Sequence, residues 1–158
     1  MDPSEWMTVF RSAHERAKRG ELKPEEHDKY LSMREELARS LVAAQRLNVP
    51  EGSPARKYFR VAQAFALELD NVNRTLTKDI SRSGFSAMVP SIFKEGQLVS
   101  FKLTLGREQE PLSGRANIVS APKVGAMVRA SFCVDTLSDP DAERLETVLF
   151  DAVLARFK

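Results

Sequence analysis

Thiol chemistry has almost nothing to work with in this chain, whose 158 residues include a single cysteine, Cys133. That excludes an intramolecular disulfide framework and fits a reducing compartment, so the cytoplasm is the expected location. Charge of one sign is lacking too. Twenty-four Lys and Arg stand against 22 Asp and Glu, a net charge of +2. Bulk attraction to a polyanion is therefore excluded, and any anion must be recognised by a few placed side chains. No apolar run is long enough to span a bilayer. The start, Met1-Asp2-Pro3-Ser4-Glu5-Trp6, lacks the basic-then-apolar layout of a secretion signal. No Ser/His/Asp or Cys/His set and no glycine-rich phosphate loop stands out, so an enzyme is not expected. His14 and His27 lie on polar helical segments, have no cysteine or acid at ligand spacing and read as solvated, so no metal is expected. Cys133 sits in an apolar run and reads as a small buried hydrophobe.

What is present suffices for one domain with an appendage. Residues 3–19 read as a helix. Pro3 suits a first turn, Ser4 and Glu5 place a cap-type residue and an acid at the positive end, and Gly20 is a stop. Trp6, Phe10, Ala13 and Ala17 recur on one face. Residues 24–47 read as a longer helix opened by Pro24-Glu25-Glu26. Tyr30, Met33, Leu37, Leu41, Ala44 and Leu47 form its stripe, widened by Leu31, Ala38 and Val42. An N-terminal αα-hairpin over 1–47 accounts for both helices, and a homodimer through this apolar surface is the second reading. Acids alternate with the bases of the first helix, so it carries no basic stripe and nucleic acid is not an expected partner. Residues 48–55 hold Pro50, Gly52 and Pro54 and read as a linker and domain boundary.

After Arg60 the period changes to two. Val61, Phe65, Leu67 and Leu69 mark one face of a strand, and Asp70 to Asn73 a turn. Further strands read as Thr75–Ile80, Phe85–Val89, Gln97–Leu105, Leu112–Ser120 and Val124–Val134. Six short strands joined by turns predict a closed antiparallel barrel, so 56–158 is mainly β. Residues 138–157 return to helix, capped by Ser138 or Asp139, with Leu145, Val148, Leu149, Ala152, Val153 and Phe157 facing the barrel.

Two motifs carry chemistry. Arg56-Lys57-Tyr58-Phe59-Arg60 spaces two guanidiniums four residues apart behind a Pro/Gly linker. Each offers a planar fork suited to phosphate or to the O6/N7 edge of guanine. Asp79-Ile80-Ser81-Arg82-Ser83-Gly84 combines an acid, a hydroxyl and a glycine in a tight turn. A carboxylate there accepts from N1 and N2 of guanine, a donor pair no other standard base presents. Ser81 can hold a phosphate or ribose oxygen, and Gly84 allows close backbone approach. The combination suits a guanine nucleotide. Each motif alone also reads blandly, as surface arginines or as an ordinary β-turn. Arg82 and Arg115 are further candidates to lend charge. Tyr58 and Phe59 read as one inward and one near the base.

At these residues the chain resembles the PilZ domain family. Arginine-x3-arginine and aspartate-x-serine-x-x-glycine both stand intact, as Arg56 to Arg60 and Asp79 to Gly84. The similarity runs on through Ser113–Val119 and through Ala130–Val134 followed by a helix, covering about residues 54 to 157. Where the family often has a glycine before the phenylalanine of the last strand, Arg129-Ala130-Ser131 precedes Phe132. The resemblance implies a six-stranded PilZ-like barrel with a C-terminal helix and a receptor for the bacterial second messenger cyclic di-GMP. It implies ligand contacts at Arg56, Arg60, Asp79, Ser81 and Gly84, often to a stacked, intercalated ligand dimer, with no cofactor. Binding then reorients whatever precedes the barrel, here the helical hairpin, toward an unknown downstream protein. The alternative is a PilZ-like interaction module that does not depend on nucleotide.

Overall fold

The computed structural model describes residues 2–46, 58–71, 73–106 and 109–156. The chain divides into two compact units, Met1–Phe59 and Arg60–Lys158. The expected linker, 48–55, lies outside the described residues.

The first unit holds α1 (Pro3–Lys18) and α2 (Pro24–Arg46). The cap of α1 is Asp2, two residues before the Ser4 of the cap reading. Its carboxylate accepts from the Glu5 backbone N–H at 2.8 Å, with Pro3 filling the first turn. Gly20 follows α1 at φ +68°, a left-handed turn that suits glycine. Phe10 stacks on Trp6 at 5.5 Å and on Tyr30 of α2 at 5.7 Å, joining the helices through an aromatic cluster. His14 corrects the solvated reading. It is fully buried, and its Nδ1 shares a 2.7 Å hydrogen bond with the Tyr30 hydroxyl. One turn after Phe10, it lies on the packed face of α1. His27 is exposed, as expected.

The second unit contains β1 (Ala66–Leu69), β2 (Asn73–Ser81), β3 (Gly84–Pro90), β4 (Leu98–Thr104), β5 (Leu112–Ser120), β6 (Lys123–Val124), β7 (Met127–Thr136) and α3 (Asp139–Leu154). The sheet runs β3-β2-β1-β4-β5-β7, and the β3–β7 pairing closes it into the expected antiparallel barrel. The last predicted strand is instead a small hairpin. Gly125 at φ +64° turns the chain, so β6 pairs back on β7. The first predicted strand is shorter than expected, because 62–65 lies outside any strand.

The core follows the period-two pattern. Val99, Phe101 and Leu103 of β4 point inward, while Leu98, Ser100, Lys102 and Thr104 are exposed. Phe85 stacks on Phe132 at 4.9 Å and meets Phe101 edge-on at 5.3 Å, filling the interior. In β7, Phe132 points inward, so Cys133 faces out. It is exposed, correcting the buried reading. Ser138 caps α3 by accepting from Asp141 N–H at 3.3 Å. Leu145, Leu149, Phe150, Val153 and Leu154 are the buried face of α3. Phe157 lies outside the described residues.

Candidate functional site

The site begins with a segment that is almost a strand. Val61 forms an isolated bridge to Ile80, with backbone bonds of 2.8 and 2.9 Å. Beyond it the ladder stops, and the Thr77 hydroxyl takes over. Thr77 Oγ1 donates to the Gln63 carbonyl at 2.7 Å and accepts from the Phe65 N–H at 2.8 Å. Arg156, just past α3, donates to the Ala62 carbonyl at 2.8 Å. Three different groups therefore fix residues 61–65 along β2.

That placement sets Arg60. Val61 and Ile80 are both buried inside the barrel, so their neighbours point to the outer face. A bulge between Thr77 and Asp79 shifts the register, and Asp79 comes opposite Ser86 of β3. Arg60 Nη1 then reaches Asp79 Oδ1 at 2.8 Å across 19 positions of sequence. The pair is half-buried, with side chains 31% and 25% exposed. Two residues on, Ser81 is buried and ties the β2–β3 turn together. Its hydroxyl accepts from the Ser83 N–H and meets Ser83 Oγ, both at 3.2 Å.

Gly84 is Ser81's partner across the turn. A Cβ there would lie 2.0 Å from the Phe132 carbonyl oxygen. Close contact of β3 with β7, rather than backbone angle, is what requires a glycine. The structure therefore brings Arg60, Asp79, Ser81 and Gly84 together on one stretch of the barrel's outer surface. Arg56 lies outside the described residues.

The other charge candidates are Arg82, in the β2–β3 turn, and Arg115. Arg82 faces Glu146 of α3 at 3.8 Å. Arg115 is on β5, which β3 and β7 separate from β2. Phe59 is buried and Tyr58 half-buried. Among the described residues no cluster of His, Cys, Asp or Glu could hold a metal, and no helix is long and apolar enough to cross a membrane. A separate open depression of about 510 Å³, lined by Ser113, Asp135, Thr136, Leu137 and Ser138, offers an anion no cation.

Sequence reasoning missed Ser86. It lies on the outer face between Asp79 of β2 and Ser131 of β7, yet is only 2% exposed. Its Oγ is the one buried side-chain polar atom without a hydrogen-bond partner among the described residues. A serine in the run Gly84-Phe85-Ser86-Ala87-Met88 gives no such signal by itself.

No family model and no curated protein matches the chain. Solved structures do match. The Bacillus subtilis inhibitor of motility (MotI/DgrA) superposes with a TM-score of 0.56 at 17% identity, over 68% of this chain and 56% of that one. The PilZ domain of YcgR from Escherichia coli, solved with c-di-GMP, superposes with a TM-score of 0.53 at 17% identity, over 63% of this chain and 92% of that one. YcgR in complex with c-di-GMP gives 0.52 at 19%, over 61% of this chain and 45% of that one. The matched region thus spans about half the length of the first and third of these proteins and nearly all of the second. Such identities speak to the fold. The closed barrel with its C-terminal helix has the PilZ-domain fold, and this chain adds a pair of N-terminal helices to it.

Proposed function

We propose that this protein is a cytoplasmic receptor for cyclic di-GMP that acts by binding rather than by catalysis. The observation that carries the reading is the 2.8 Å meeting of Arg60 with Asp79 beside Ser81 and Gly84. A fork of donors and a fork of acceptors stand together on the outer face. Guanine presents the complements of both on one base: acceptors at O6 and N7, donors at N1 and N2. Arg56, four residues before Arg60, supplies the second guanidinium for phosphate or for a second, intercalated ligand molecule. The YcgR domain solved with c-di-GMP has the same fold, which supports the choice of dinucleotide.

The division between the two compact units falls between Phe59 and Arg60. A ligand that engages Arg60 therefore acts on the first residue of the barrel unit, and the helices are the element whose orientation it biases. In α2, Leu41 and Val42 are half-buried and Leu31 and Ala44 exposed. That remaining apolar surface is where self-association would occur, and sedimentation with and without ligand reads it.

Calorimetric titration of the whole chain tests the receptor reading. Cyclic di-GMP binds, and cyclic di-AMP, lacking the N1–H and N2 donors, does not. Arg56→Ala or Arg60→Ala weakens binding by about 1–3 kcal/mol. A chain that shows neither binding heat nor thermal stabilisation with cyclic di-GMP refutes the receptor and leaves a nucleotide-independent interaction module.

A further inference from the structure

Ser86 poses a physical question that Arg60, Asp79, Ser81 and Gly84 leave open. A buried hydroxyl without a partner forfeits its bonds to water and gains none in return. Here it is 2% exposed and unpaired, while its two cross-strand neighbours, Asp79 and Ser131, are both polar. Directly opposed residues on one face of an antiparallel pair hold their Cβ atoms about 4.5–5.5 Å apart. The Ser86 hydroxyl and the Asp79 carboxylate are therefore neighbours on one surface, close enough to contact adjacent atoms of a single small group.

The guanine exocyclic amine is such a group. Its nitrogen carries two N–H donors that point in different directions. A carboxylate reading the N1/N2 edge takes only one of them. The second points past the carboxylate and needs another acceptor or is lost from water without compensation. Resting on the receptor reading above, we infer that Ser86 Oγ accepts this second N–H, so that Asp79 and Ser86 together read the amine. This contact forms once Arg60 has left Asp79 for the ligand. Ser86 is then a specificity-determining contact, and its unpaired state is a cost the folded chain carries for recognition.

The inference has a signature that a structural serine would not give. Removing an unpaired buried hydroxyl is neutral or stabilising, so Ser86→Ala keeps or raises the thermal midpoint of the protein without ligand. The test is calorimetric titration of the full-length parent and Ser86→Ala with cyclic di-GMP and with cyclic di-IMP. The latter has the same ring system but no exocyclic amine. The expected result is a loss of about fivefold for Ser86→Ala with cyclic di-GMP, the size of one neutral hydrogen bond, and less than about twofold with cyclic di-IMP. If the parent binds cyclic di-GMP and Ser86→Ala binds it equally well, the inference is overturned and the receptor stands. If Ser86→Ala loses the same factor with both ligands, the hydroxyl does not meet the amine, and the inference is again overturned. If the parent binds neither dinucleotide, the receptor reading falls and takes the inference with it.

Discussion

The ion pair between Arg60 and Asp79 makes binding and folding respond to the same two substitutions with opposite signs. Let the pair stabilise the chain without ligand by w. Both side chains are about a quarter to a third exposed, so w is about 0.5–1 kcal/mol, as for ion pairs that water still reaches. Let the ligand contacts of Arg60 and Asp79 contribute a and b. Binding by the parent gains a + b but loses w, because the pair must open. Arg60→Ala forfeits a and spares w, and Asp79→Ala forfeits b and spares w. The double variant forfeits a + b and spares w only once, so its affinity loss exceeds the sum of the single losses by w, about two- to fivefold. In urea unfolding the relation reverses. Each single variant loses w, the double variant also loses only w, and it falls short of the sum by that amount. Titration calorimetry and denaturant unfolding of the four proteins measure both cycles. A binding cycle that is additive, or coupled in the same sense as the folding cycle, shows that the pair stays closed around the ligand and refutes the exchange.

Other substitutions separate recognition from architecture. Gly84→Ala drives a methyl against the Phe132 carbonyl, a backbone atom that cannot step aside. The expected cost is about 3 kcal/mol, visible as a fall of about 10 °C or more in the thermal midpoint without ligand. An unchanged midpoint would show that β3 and β7 are not so close. Tyr30→Phe removes the 2.7 Å bond to the fully buried His14. A loss of about 1–3 kcal/mol is expected in the unfolding of the whole chain, with cyclic di-GMP affinity unchanged. Glu26 accepts a fork from Arg16 at 2.9 and 3.3 Å and the Lys23 N–H at 3.1 Å. The Arg16 hydrogen bonds, then the Lys23 one, hold its carboxyl below its ordinary value. A depressed folded value adds stability above the ordinary carboxylate range and loses it as pH falls through the depressed value. Carboxyl NMR titration should show the Glu26 midpoint rising in Arg16→Gln, and an unmoved midpoint would reject the assignment of cause.

Much of the architecture was written in the sequence at one level, that of periodicity. Strand β5 spans Leu112–Ser120 as the alternation indicates, and helices α1, α2 and α3 lie within a few residues of their predicted ends. The misreadings share a physical form. His14 was judged by its polar neighbours in sequence, although its spacing of four from Phe10 put it on the apolar face. Cys133 was judged by its apolar neighbours, although Phe132 pointing inward obliges the next residue to point out. The short β1 could not be foreseen, because the side chain of Thr77, 12 positions beyond Phe65, replaces the ladder there. Of the candidate site, residue types and spacing indicated Arg56, Arg60, Asp79, Ser81 and Gly84, and the described residues bring the last four together. The mutual satisfaction of Arg60 and Asp79 was not legible, since it depends on a bulge and an isolated bridge that leave no trace in composition. Ser86 was invisible for the same reason: being unpaired is a property of surroundings.

The bond from Arg156 to the Ala62 carbonyl has a practical bearing on how the protein is handled. It ties the tail just after α3 to the backbone two residues from Arg60. Any fusion or cleavage site introduced just after α3 sits beside this tether. A boundary drawn before Arg156 would remove the bond that holds the backbone next to Arg60, and any ligand affinity measured on such a fragment would report the lost tether along with the site.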